Sequence, residues 1–142
     1  MLESLRQSIV GINTSHQLAL GATMGAGIGL LPKDSAVPWL MGLVLLLSRG
    51  NLLTGIVAAV ATSMVSPLLD VYADPIGMAV LSAEAWQETF AKIYSAPWMP
   101  WTRLNNTVVM GSLVIAIAAS LPFYIASRVG FSWIGIPFLK RC

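Results

Sequence analysis

Residues 51 to 69 read NLLTGIVAAVATSMVSPLL, nineteen residues without a charged side chain between Gly50 and Asp70. A helix of that length rises about 28 Å, which matches the roughly 30 Å hydrocarbon core of a lipid bilayer. The stretch therefore predicts a transmembrane helix. Pro67 is expected to kink or end this helix near the membrane surface.

The composition of the whole chain agrees with this prediction. Hydrophobic residues make up 56% of the 142 residues and charged residues only 10%, whereas soluble proteins carry about 25% charged residues. The length allows one domain. The net charge of +2 comes without a basic run interleaved with aromatic residues, so the sequence gives no indication of nucleic-acid binding.

Three further hydrophobic segments are predicted, and they lie at residues 16–32, 36–48 and 104–127. The segment 36–48 has thirteen residues, and a helix of that length rises only about 20 Å, so it is either a short span or a re-entrant half-helix. The predicted fold is an all-α polytopic membrane protein with about four hydrophobic segments in a single domain over residues 1–142.

Other segments are predicted at the membrane surface. In residues 76–95, apolar residues such as Trp86 and Phe90 recur at helical spacing on one face, and Glu84, Glu88 and Lys92 line another. This pattern is typical of an amphipathic interfacial helix. Shorter apolar stretches at 2–12 and 129–139 are predicted to lie at the interface.

The distribution of Lys and Arg predicts the orientation. With four crossings and a cytoplasmic N-terminus, five basic residues face the cytoplasm and three face the outside, so both termini are predicted to be cytoplasmic. A re-entrant second segment would reverse the assignment of the ends. The inside set is Arg6, Arg49, Arg128, Lys140 and Arg141, and the outside set is Lys33, Lys92 and Arg103.

A stripe of small residues runs along the first hydrophobic segment, where Gly21, Gly25 and Gly29 repeat every four residues. In lipid, such a stripe lets another helix backbone approach closely. These three glycines are therefore predicted helix-packing residues. The pattern leaves open three partners, which are another helix of the same chain, a second copy in a homo-oligomer, or a different protein.

Five polar residues near the span ends are candidates for contacting a partner protein or lipid headgroups, because a buried polar group needs a partner. For Arg103, Asn105 and Asn106, the alternative is an ordinary helix start and cap. Their functional interpretation includes a contact with the Gly50-Asn51 turn. The candidates are Arg49, Asn51, Arg103, Asn105 and Asn106.

The sequence does not indicate a catalytic site. His16 is the only histidine and Cys142 the only cysteine, so a metal site cannot be assembled from His and Cys. No nucleophile motif surrounds a serine, and Glu84 with Glu88 is typical of a solvated helix face. We predict that the chain is not an enzyme and uses no cofactor or metal.

Several stretches resemble a family of small, uncharacterised bacterial inner-membrane proteins: SHQLALG at 15–21, MGAGIGLLP at 24–32, RGNL at 49–52 and TRLNNTVVMGSL at 102–113. The last stretch is the most specific, although Leu104 stands where the family has an aromatic residue. The resemblance covers residues 15 to 128. It implies location in the bacterial inner membrane and a large uncharacterised envelope protein as partner.

Two functions are therefore expected from different classes. The first is a non-catalytic membrane subunit, in contact with membrane lipids, that docks the larger envelope protein in a complex that transports lipid between membranes. The second is a small-solute transporter or channel in which a broken second helix, over residues 36–51, lines a polar pathway. The scarcity of ionisable groups within the predicted spans disfavours the second function.

Overall fold

A computed structural model describes the backbone of residues 14 to 139 and the side chains of residues 14 to 133. All regular secondary structure in this part of the chain is helical, which confirms the all-α class. The predicted surface helix 2–12 lies outside the described residues. The helices are α1 (Ser15–Leu30), α2 (Val37–Leu47), α3 (Leu52–Ser82), α4 (Glu84–Tyr94), α5 (Met99–Thr102) and α6 (Thr107–Leu139).

Two of these helices are long and apolar enough to cross a bilayer. They are α3 and the Thr107–Trp133 part of α6, while α2 is a shorter apolar helix. Helix α1 has sixteen residues and α2 has eleven. The predicted count of four spans therefore stays a prediction at this point.

Helix α3 is longer than the sequence pattern indicates. It continues from the predicted end at residue 69 to Ser82, with Pro67 and Pro75 inside it. The predicted interfacial helix over 76–95 is therefore two helices, since its first part belongs to α3 and α4 begins only at Glu84. Packing against α6 explains the continuation, because neighbouring helices can offset the hydrogen bond that a proline removes.

Helix α6 also differs from its predicted bounds of 104–127. It begins at Thr107, because the side-chain oxygen of Asn106 accepts hydrogen bonds from the backbone N–H groups of Val108 (2.9 Å) and Val109 (3.3 Å) and so caps the helix. At the other end the helix continues through Arg128 to Leu139. The stretch 129–139 is thus part of α6 and not a separate segment.

Helices α1 and α3 run parallel to each other. The hydroxyl groups of three α3 residues donate hydrogen bonds to carbonyl oxygens of α1, and each pair is separated by 36 residues. A constant separation means that both helices advance in the same direction. The pairs are Thr54 with Leu18 (3.1 Å), Thr62 with Ala26 (3.2 Å) and Ser66 with Leu30 (3.1 Å).

Helix α2 connects these two parallel helices and therefore runs opposite to both. The backbone N–H of Asn51 donates to the carbonyl of Gln17 at 2.9 Å, so α3 begins beside the start of α1. The chain between Leu31 and Asn51 must return along the whole length of α1 to reach that point. Residues 31–50 thus traverse the bundle, although only Val37–Leu47 is helical.

Helix α6 runs antiparallel to the other two long helices. Its first residue, Thr107, lies against Gly77, and Gly111, four residues later, lies against Ala73 of α3. Farther along, Tyr124 contacts His16 at the start of α1. We call the end near Gln17, Asn51 and Tyr124 the lower end of the bundle. The end near Leu31 and Asp70 is the upper end.

Candidate functional site

The glycine stripe of α1 lies against α3 of the same chain. A Cβ atom added to any of the three glycines would overlap α3, so the two backbones are in direct contact. The stripe is therefore filled and is not available to a second copy or another protein. The contacts pair Gly21 with Asn51 and Thr54, Gly25 with Gly55, and Gly29 with Ala59 and Thr62.

A second close helix contact, between α3 and α6, was not predicted. A Cβ at Gly77 would overlap the carbonyl group of Thr107, and a Cβ at Gly111 would overlap that of Ala73. The sequence does carry the signal, because Ala73 with Gly77 and Thr107 with Gly111 are pairs of small residues four positions apart. The prediction of one interfacial helix over residues 76–95 hides this contact, because it assigns Gly77 to a separate helix, whereas Gly77 and Ala73 both belong to α3.

The lower end of the bundle contains two of the predicted polar residues. Asn51 is only 3% exposed, and its side-chain oxygen accepts a hydrogen bond from the N–H of Thr54 at 2.9 Å, so it caps α3. Arg49 precedes it and is exposed. Beside them, the Nδ1 atom of His16 lies 2.6 Å from the hydroxyl oxygen of Tyr124, with the two rings edge to face.

The upper end contains the other predicted polar residues. Arg103 forms an ion pair with Asp34 in the loop between α1 and α2. It adopts a left-handed backbone conformation with φ 51°. Asn106 caps α6, and Asn105 lines a groove of about 240 Å³ beside Tyr94.

These positions correct one functional interpretation of the sequence. The Gly50-Asn51 turn lies at the lower end, beside Gln17, and Arg103 lies at the upper end, beside Asp34. The expected contact between the Arg103 cluster and this turn is therefore not formed, because the length of α1 separates them. The α1–α2 loop is instead held by α5, since the N–H of Ala36 donates to the carbonyl of Trp101 at 2.9 Å.

The side chain of Lys33 caps the C-terminal end of α1. Its ammonium group donates hydrogen bonds to the carbonyls of Gly29 and Leu31, both at 2.9 Å, and of Ile28 at 3.3 Å, which satisfies carbonyl groups that the helix end leaves unpaired. Desolvation by burial lowers the pKa of Lys33, and the nearby Asp70 carboxylate partly opposes this. Lys33 thus lies with Asp34, Asp70 and Arg103 among the charged groups of the upper end.

Charge is divided between the two ends. Five of the six acidic residues of the chain lie at or above the upper end, together with Lys33, Lys92 and Arg103. Arg49 and Arg128 are the basic residues near the lower end within residues 14–133. The five acidic residues are Asp34, Asp70, Asp74, Glu84 and Glu88. Among the residues whose side chains are described, no group of three His, Cys, Asp or Glu could hold a metal.

Between the two charged ends, the surface is apolar. In the most hydrophobic window of α3, only 6% of the residues are buried, and Leu47 of α2 is 80% exposed. The core is made mainly of small residues, and Leu31 and Val109 are the largest fully buried side chains in the described part of the chain. The large apolar side chains therefore point outward, and the small ones hold the helices together.

A projection extends above the upper end. It consists of α3 beyond Asp70, followed by α4, which contains no buried residue. Large apolar side chains are exposed on it, including Tyr72 (65%), Met78 (55%) and Trp86 (55%). On the inner side of α4, Phe90 stacks on Tyr94. Trp86 lies one turn before Phe90 on the same side of α4, and there the described chain leaves it uncovered.

Comparisons with known proteins give a distant similarity. The chain is similar to an uncharacterised protein of Treponema pallidum (strain Nichols), with 27% identity over 127 residues that cover 89% of this chain and 78% of that protein. No family model matches the chain. No solved structure matches it.

Proposed function

We propose that this chain is a bacterial inner-membrane protein of four crossings that acts as a non-catalytic subunit and docks a larger envelope protein. The spacing of the charged ends supports the membrane placement. From Asn51 to Asp70 along α3 is about 28 Å. This distance matches a hydrocarbon layer of roughly 30 Å.

The low burial of the helices also supports this placement. The core helix of a soluble protein buries most of its apolar side chains, whereas only 6% of the apolar window of α3 is buried. Leaving a large apolar side chain in water forgoes about 1.5–3 kcal/mol of burial free energy for each residue. Lipid tails would cover these apolar side chains, which need no polar partner.

The direction of α2 supports the second crossing. Because α1 and α3 are parallel, the chain between Lys33 and Arg49 returns from one charged end to the other. Its helical part rises only about 16 Å, and the non-helical residues on either side supply the remaining length. Snorkelling of the exposed Arg49 toward the lower surface fits a short helix of this kind.

The charge distribution supports an orientation with the lower end in the cytoplasm. Arg49 and Arg128 lie there, and with Arg6, Lys140 and Arg141 in the adjoining sequence the count on this side is five, against Lys33, Lys92 and Arg103 on the other. The positive-inside rule places the basic end in the cytoplasm. In this orientation both termini are cytoplasmic and the projection faces the envelope.

The exposed apolar face of the projection is the observation that carries the docking role. Helix α3 continues for twelve residues beyond Asp70, which is about 18 Å, so Met78 and Trp86 stand outside the lipid layer. Exposed aromatic and Met side chains are enriched at the centres of protein interfaces. A partner protein on the envelope side would cover this face. A role of the complex in moving lipid between membranes follows from the resemblance alone.

The structure does not favour a solute pathway along α2. The exposed side chains of this helix are apolar, including Trp39, Leu43 and Leu47. Asn51, the polar residue expected to line the pathway, is buried as the cap of α3. A transporter of polar solutes would need polar groups along that path.

Affinity purification in mild detergent, followed by mass spectrometry, tests the docking role. The full-length protein is expected to retain one large envelope protein. Trp86→Ala should remove most of it, because interface aromatic residues often contribute 2 kcal/mol or more, roughly a thirtyfold change in affinity. Trp133→Ala is the matched control, since Trp133 is also exposed but lies beyond the lower end.

Two outcomes would contradict the proposal. One is recovery of the protein alone from membranes of its native host. The other is equal retention of the same partner by the wild type and the Trp86→Ala variant, which would place the interface elsewhere.

A further inference from the structure

A long apolar groove lies between α2 and α3, with α1 at its base. Helix α2 leans mainly on α1, and its Leu45 side chain lies against Gly55 of α3; a groove of about 480 Å³ remains beside it. The groove follows α2 from Trp39 near the upper end to Leu46 near the lower end. Its walls also include Gly42, Ile56 and Ala59.

The size of the groove favours a narrow occupant. Its volume is about 480 Å³, whereas an α-helix with its side chains is about 10–12 Å across, so a length of helix of about 16 Å occupies more than about 1,000 Å³. A helix from a second copy or from a partner would therefore lie over the mouth of the groove and leave its inside unfilled.

The chemistry of the groove also disfavours an extended peptide. Apart from the indole N–H of Trp39, the side chains that line it carry no hydrogen-bonding group, so the walls offer at most one side-chain hydrogen bond to an incoming backbone. Unpaired backbone groups in such a site would each cost several kcal/mol. A narrow, apolar occupant without polar groups is required.

We propose that the groove binds one acyl chain of a membrane phospholipid. This inference rests on the membrane placement in the proposed function, which puts the groove inside the lipid layer between the two charged ends. An acyl chain is apolar and thin, and acyl chains are the main component of the bilayer at that depth. The missing side chain of Gly42 contributes to the space, because a Cβ there would meet no atom within 4 Å.

Photo-crosslinking of the full-length protein in vesicles tests this binding. The vesicles contain phosphatidylethanolamine and phosphatidylglycerol, a fraction of which carries a diazirine on one acyl chain. Peptides of α2 and of the first part of α3 should be labelled more strongly than the exposed face of α6 around Leu121. Gly42→Phe should abolish most of this excess, because its ring would fill the groove.

Gly130→Phe is the matched control, because a Cβ at Gly130 also meets no atom within 4 Å and this glycine lies far from the groove. It should leave the labelling pattern unchanged. Equal labelling of α2 and α6, or an unchanged pattern in Gly42→Phe, would show ordinary surrounding lipid and overturn the inference. If the Gly42→Phe protein does not insert into the vesicles, Gly42→Leu is used in its place. The same comparison of labelling at α2 and at α6 then decides.

The assay separates this inference from the proposed function. If the protein does not sediment with vesicles, the membrane placement itself fails. If it inserts but shows no excess labelling at α2 and α3, only the acyl-chain site fails. The docking role does not affect the result, because no partner is present in the vesicles.

Discussion

Gly25 of α1 lies directly on the backbone of Gly55 of α3, thirty positions later in the chain. Both residues lack a side chain, so the two parallel helices approach to backbone contact. The hydroxyl of Thr62 extends this interface by donating to the carbonyl of Ala26. In a membrane, close packing and such hydrogen bonds replace the hydrophobic effect as the source of helix association.

Gly25→Ala is expected to destabilise the bundle. The new methyl group would overlap the carbonyl group of Gly55, so the helices must separate or shift. Overpacking of this kind costs about 1–3 kcal/mol. Unfolding of the purified protein in mixed detergent micelles, followed by circular dichroism, measures the change in unfolding free energy.

Gly42→Ala is the control for this substitution. Gly42 is also a helical glycine, but a Cβ there has open space. Its replacement should leave the stability unchanged or raise it by about 0.5–1 kcal/mol, because alanine favours the helix more than glycine does. Equal losses in the two variants would mean that α1 and α3 are not in backbone contact at Gly25.

Arg103 offers a test of backbone strain. Arg103→Ala and Arg103→Gly both remove the ion pair with Asp34, and because both partners are more than half exposed, this loss should cost less than about 1 kcal/mol. Glycine tolerates the left-handed conformation at φ 51°, whereas alanine does not. The Gly variant should therefore be more stable than the Ala variant by about 1 kcal/mol in the same unfolding assay.

The same two substitutions at a residue with right-handed helical backbone check the origin of this difference. At Lys92, which lies within α4, the order should reverse, because glycine weakens a helix interior. If the Gly variant were the less stable one at both positions, the left-handed conformation of Arg103 would not persist in solution.

Local features of the fold were predictable from the sequence, because they depend on residues close in the chain. The second hydrophobic segment, predicted at 36–48, is the helix Val37–Leu47. The glycine stripe lies against a helix, as its spacing indicates. The helix-cap alternative for the cluster at 103–107 is confirmed for Asn106, which caps α6. Each of these follows from spacing or capping within a few residues.

Features that depend on distant residues were not predictable. The length of α3 past Pro67 depends on its contact with α6, where Gly77 meets Thr107. The parallel direction of α1 and α3 is visible only in contacts such as that of Thr62 with Ala26. The Asp34–Arg103 pair joins residues that are 69 positions apart, and a single sequence does not show which distant charges pair.

The pKa of Lys33 gives a test of the upper end. Burial lowers this pKa, and the Asp70 carboxylate opposes the shift. Asp70→Asn should therefore lower the pKa of Lys33 further. The chain has three lysines, so NMR of ¹³C-methylated lysine side chains can follow each one, with Lys33→Arg identifying the signal.

The same shift predicts how stability depends on pH. Because the pKa of Lys33 is lower in the folded state, the unfolded chain binds more protons at pH values between the folded pKa and the ordinary lysine pKa. The unfolding free energy should therefore rise with pH through that window and gain nothing from Lys33 below it. Lys33→Met should remove this contribution. An unchanged Lys33 titration in Asp70→Asn would contradict the placement of Asp70 beside the ammonium group.

Single cysteines test whether α2 crosses the membrane. In a Cys142→Ser background, Asp34→Cys and Ser48→Cys place thiols at the two ends of α2. Because α1 and α3 are parallel, a membrane-impermeant maleimide should label these thiols from opposite sides of sealed vesicles. Glu84→Cys should label from the same side as Asp34→Cys, and Cys142 of the otherwise unchanged protein from the same side as Ser48→Cys. Labelling of Asp34→Cys and Ser48→Cys from the same side would instead require a re-entrant α2. A re-entrant α2 would make α1 and α3 antiparallel, which the 36-residue spacing of their hydrogen bonds does not allow.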